Sequence, residues 1–119
     1  MVQLEDLRRY SLGLPGVTES IKWGHDLCFC VGDKMFWVAG LEVQPVHASF
    51  KTDLDQFDQL IIQPGFTPAP YIARHQWVMV NDITRISRTD WETYINHAYA
   101  LIFNKLPARI KLKINSKIG

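Results

Sequence analysis

Apolar residues at helical spacing first appear at Leu4, Leu7 and Leu12, in a segment that runs into the stretch GLPG at 13–16, where glycine and proline end a helix. Beyond this break the pattern changes. Ile21 and Trp23 alternate with polar neighbours, and the runs at 27–31 and 34–41 are rich in strand-forming residues. Only Gly32 and Asp33 separate these two runs, and a two-residue loop with glycine first predicts an antiparallel hairpin closed by a type II′ turn. A fourth strand is predicted over 46–51, with Pro45 at its start, where a missing N–H is tolerated. Helical spacing returns at 53–65. There Asp53 stands as an N-cap with Gln56 three residues later, Leu54, Phe57, Leu60 and Ile61 share a face, and Pro64 and Gly65 end the element. Residues 76–80 read as a last strand. The longest helix follows, with Thr89 and Glu92 in a capping-box pattern and Trp91, Ile95, Ala98 and Ile102 at helical spacing up to Pro107. The predicted order is α-β-β-β-β-α-β-α. Hairpin-connected strands bracketed by helices imply an α+β domain, an antiparallel sheet covered by helices on one face and partly open on the other.

A chain of 119 residues suffices for one domain that buries about two thirds of its unfolded surface. No apolar run approaches the ~20 residues that span a bilayer, so no membrane partner is expected. Glu5 and Asp6 stand where a secretory signal would be basic and then apolar, and the expected location is the cytoplasm. Cys28 and Cys30 lie two apart on a strand, on one face and in poor geometry for a disulfide, and they read as core residues.

Chemistry-bearing motifs are scarce. The sequence has no GxxxxGK[ST] or GxGxxG to cradle phosphates and no GxSxG elbow. His25, His47, His75 and His97 stand singly, with no CxxC or HxxxH, so neither a metal nor a cofactor is expected. Asp53, Asp55 and Asp58 fall at the start and polar face of a helix, where acids complement the dipole. No catalytic residue is assigned, and a non-enzyme is favoured.

Charge divides the chain unevenly. Lys105, Arg109, Lys111, Lys113 and Lys117 lie in the last fifteen residues with no acid among them, while residues 1–104 hold eight bases against twelve acids, a net −4. Residues 1–106 therefore read as the folded domain and 107–119 as a basic C-terminal tail able to contact phosphates.

The segments KWGHDLCF at 22–29, SFK at 49–51, GFTPAPYIARHQWV at 65–78 and YALIFNKLP at 99–107 occur in order over nearly the whole chain and resemble the MmcQ/YjbR family of small bacterial proteins. The resemblance implies a CyaY-like, secretion-chaperone-like α+β fold, a proposed double-wing mode of DNA binding and no assigned reaction. The family's recurrent positions here are Trp23, Gly24, His25, Lys51, Pro68, Pro70, Tyr71, Arg74, Trp77 and Lys105. If the wings are the hairpin tip 31–35 and the loop 40–46, they offer Lys34 alone against Asp33 and Glu42, and DNA contact falls instead to the tail. A second reading makes the recurrent residues a ligand cleft. Trp23, Tyr71 and Trp77 form its walls, Lys51 and Arg74 bind a small anion, and His25 donates a hydrogen bond or a proton. A third is a protein-interaction module working through the open sheet face. The chain is expected to be a monomer.

Overall fold

The computed structural model describes residues 1–70 and 75–116; Tyr71, Arg74 and Lys117, named above as candidates, lie outside the described residues. In chain order the elements are α1 (Leu4–Leu12), β1 (Val17–Lys22), β2 (Asp26–Val31), β3 (Lys34–Gly40), β4 (His47–Lys51), α2 (Leu54–Leu60), β5 (Phe66–Pro68), β6 (Trp77–Val80), a 3-10 turn (Ile83–Arg85), α3 (Arg88–Phe103) and α4 (Ala108–Ser116). The strands form one antiparallel sheet in the order β1-β2-β3-β4-β6-β5.

Strand register sorts the side chains into two faces. One row pairs Phe29, Trp37, Phe50 and Val78, and the next pairs Leu27, Ala39, Ala48 and Val80. These residues meet Leu7 of α1 and Trp91, Ile95 and Ala98 of α3 in the buried core. Phe29 stacks on Trp37 with ring centroids 4.4 Å apart, and Phe50 meets Trp91 edge-on at 5.5 Å. A bulge in β3 opposite Phe29 and Cys30 inserts Phe36, so that two successive aromatic residues both reach the core. Buried polar atoms are paired there. Ser11 Oγ donates to Leu7 O and accepts from Trp37 Nε1 at 2.9 Å, and Trp91 Nε1 donates to Ile83 O at 2.8 Å. At the surface, Arg8 joins α1 to β1 through Glu19 at 2.7 Å.

Several local features differ from the sequence reading. Gly32 and Asp33 both have positive φ, 56° and 64°, which is the pattern of a type I′ turn rather than type II′. The cap of α3 is Ser87, whose side chain accepts from Asp90 N, two residues ahead of the Thr89 pattern. Trp23 lies in the β1–β2 turn and not in a strand. Phe66–Pro68 is an additional strand, a short edge where the missing N–H of Pro68 costs no ladder bond. The basic segment after Pro107 is helical over Ala108–Ser116. Pro107 begins this helix rather than only ending α3, its carbonyl accepting from the N–H of Ile110 and Lys111. Ile114 is buried and Ile110 packs beside it, against Gly16 and Gly32 of the body. Asp53 caps α2 as expected, accepting from Gln56 N at 2.8 Å, and its other oxygen is 2.9 Å from His97 Nε2 of α3.

Candidate functional site

The sheet face turned away from α1 and α3 carries the remaining rows: Asp26, Gly40 and His47; then Cys28, Val38, Ser49 and Met79; then Cys30 and Met35; and Lys51 with Trp77. Over this face lies a cleft of about 550 Å³, a volume in the usual range for small-ligand sites. Val38, Met35 and Met79 supply an apolar floor, and Ser49 lies between them. The β1–β2 turn contributes Trp23 and His25 to one wall, and the segment leaving β5 contributes Ala69 and Pro70 to another.

The polar end of the cleft follows from a register row. Asp26, Gly40 and His47 are cross-strand neighbours, and His25 precedes Asp26 with its Nδ1 3.0 Å from Asp26 Oδ1. A β-carbon at Gly40 would find only Asp26 Oδ1, at 3.8 Å, within reach, so the glycine leaves open space beside the carboxylate. Trp23 is 67% exposed and sits at φ 54°, an uncommon conformation for a bulky residue. Holding it there costs on the order of 1 kcal/mol. Burial of the ring does not offset that cost.

Of the residues singled out from sequence, Trp23 and His25 meet at the cleft; Lys51 and Trp77 do not line it. Both are buried further along the same face, where Lys51 pairs with Trp77 in the ladder and its Nζ donates to His75 O. Burial, reinforced by the charge of Lys105, pulls the Lys51 ammonium below the usual lysine value. Thr52 completes the clamp, its N–H and hydroxyl both donating to Gln76 O at 2.8 Å, while Ala69 N donates to Trp77 O at 2.9 Å. Lys51 thus reaches the backbone at His75, just ahead of β6, and does not line the cleft. The described lining of the cleft contains no lysine or arginine. Asp26, Gly40, His47 and Met79 were not singled out from sequence, because only the register brings them together. Cys28 and Cys30 lie beneath the same face, buried, with Cys28 pushed up to about 11 by desolvation. Among the described residues no cluster of three metal-ligating side chains occurs.

The basic residues of α4 and Lys105 in the turn before it form a separate surface. Lys105, Arg109 and Lys113 are exposed, Lys111 is half-buried, and none of them makes an ion pair among the described residues. The hairpin tip at 32–33 lies beside this helix, as the approach of Ile110 to Gly32 shows. The loop 41–46 leaves the opposite end of β3, seven residues away, a distance of about 20 Å at strand spacing. The two loops taken above as wings thus lie at opposite ends of the sheet.

A family model for YjbR matches residues 12–101, which takes in the sheet and most of α3. The chain belongs to the YjbR family. Among curated proteins none matches it. Its fold resembles the crystal structure of Deinococcus radiodurans protein DR2400, which carries a DUF419 domain. The TM-score is 0.85 over 97% of this chain and 89% of that one, at 21% identity. This YjbR chain is therefore a single mixed α/β domain, with a six-stranded antiparallel sheet and four helices among its described residues. No helix among its described residues is long and apolar enough to cross a membrane.

Proposed function

We propose that this YjbR protein is a small-molecule-binding domain whose site is the cleft on the open sheet face. The observation that carries the reading is the joining of an apolar floor of about 550 Å³ to a single polar end, with an exposed, left-handed Trp23 at its rim. The floor is preformed, because alternate residues of the same strands are locked in the core. Ligand-detected NMR with a library of planar fragments tests this. Hits should perturb Trp23, His47 and Met79 and should vanish in Gly40→Leu. That change fills the cleft from a position with ordinary φ and open space, so the fold should tolerate it. Hits that map elsewhere, or that survive Gly40→Leu, defeat the proposal.

DNA binding is the second reading, favoured by the exposed Lys105, Arg109 and Lys113 beside a body of opposite net charge. Each lost phosphate contact lowers the salt slope by about 0.9 for duplex DNA. Arg109→Gln with Lys113→Gln should therefore weaken binding to any duplex and flatten its salt dependence, with Lys34→Gln mattering less. Unchanged binding by the double variant at moderate salt removes α4 as the contact surface.

A further inference from the structure

We infer that the cleft accepts a small amphipathic cation, a planar apolar body ending in an ammonium or amidinium group. The inference rests on the ligand-binding reading above and specifies the chemistry of its ligand. Three groups at one end of the cleft converge on that chemistry. The first is Asp26, the one carboxylate of the described lining. Its Oδ1 is engaged by His25, while Oδ2 has no hydrogen bond among the described residues. Lys22, opposite Asp26 in β1, is exposed and forms no ion pair with it.

The second group is His25. A carboxylate only accepts, so the proton between the two lies on Nδ1, and in the neutral ring Nε2 is left as an acceptor. The third is Trp23, whose exposed indole at the rim attracts cations through its ring face. An anion entering the same end would meet the Asp26 carboxylate and no lysine or arginine of the described lining. Beyond this end, Val38, Met35 and Met79 offer a polarizable apolar surface suited to a flat hydrocarbon body. Space for the head group comes from Gly40, which stands beside the carboxylate and has no side chain.

Three probes with one body decide the matter: 2-naphthylmethylamine, 2-naphthalenemethanol and 2-naphthoate, titrated by NMR at pH 8. The amine should bind about tenfold or more tighter than the naphthoate, the gain expected of one charge-assisted hydrogen bond, with shifts at the Trp23 indole N–H and at His25 and His47. Asp26→Asn should reduce amine affinity by about tenfold and leave the alcohol unchanged. Naphthoate binding as tightly as the amine, an amine preference that persists in Asp26→Asn, or amine binding that survives Gly40→Leu would each overturn the inference. If the alcohol binds in the cleft ahead of the amine, ligand binding stands and the cation preference falls. If none of the three binds, both readings fall together. Should Asp26→Asn not fold, the order of the three probes on the parent chain decides alone.

Discussion

Replacing Gly32 with alanine should destabilise the protein more than the same change at Gly24, and the difference measures how firmly α4 is held. Both glycines have positive φ, 56° and 78°, where a β-carbon costs roughly 1–2 kcal/mol. Around Gly24 an added β-carbon meets nothing within 4 Å, so conformation is its whole cost. At Gly32 the same atom would stand 2.7 Å from Leu106 Cδ1, 2.9 Å from Leu106 Cδ2 and 3.2 Å from Ile110 Cγ2. Leu106 is buried and has little room to retreat, so overpacking should add about 1–3 kcal/mol. The expected totals are about 2–5 kcal/mol for Gly32→Ala and about 1–2 kcal/mol for Gly24→Ala. Urea denaturation followed by tryptophan fluorescence reads this directly. With m near ~1.5 kcal/mol/M, the two midpoints should differ by about 0.7–2 M. Coincident midpoints would refute the reasoning, since they would mean that Leu106 and Ile110 swing away without cost.

Ile95, fully buried where α3 meets the sheet, should lose about 2–5 kcal/mol on change to alanine, and a near-zero shift in the urea midpoint would contradict its place in the core. The Asp53 carboxyl lies below its ordinary value, chiefly because Gln56 N–H donates to it and secondly through His97. Its stabilising contribution is therefore complete above the unfolded value of about 3.9 and is lost as pH falls through the lower folded value. Asp53→Ala should cost about 1 kcal/mol near neutrality and flatten the acid limb of a stability–pH curve; an unchanged limb would assign the acid sensitivity elsewhere. Cys28 and Cys30, buried and with thiols raised by desolvation, should resist a thiol reagent at pH 8 in the folded protein and react fully in urea. Rapid labelling of the native chain would place them at the surface.

Most elements were legible because their signals are local. The Asp53 cap, the Gly32-Asp33 hairpin and the spacing of Trp91, Ile95 and Ala98 each act within a few residues of sequence. The C-terminal helix was missed because Pro107 reads as a terminator, although proline is equally suited to a first turn. Ile110 and Ile114, four residues apart, were the available signal. Strand β5 was missed because three residues ending in proline carry no periodicity. The site was legible only in part. Trp23 and His25 belong to a conspicuous turn, but Asp26, Gly40, His47 and Met79 come from four strands and are joined by register alone. Lys51 was singled out for its charge, and sequence does not reveal that its ammonium donates to a backbone carbonyl.

Alternation along β4 divides the labour of this fold, with Ala48 and Phe50 in the core and Ser49 between them on the cleft floor. Floor and core share one backbone, whereas the walls come from the turn at 23–25 and the segment at 69–70. A substitution in the walls can therefore reshape the cleft without touching the core, whereas one in the strands beneath is felt on both faces of the sheet.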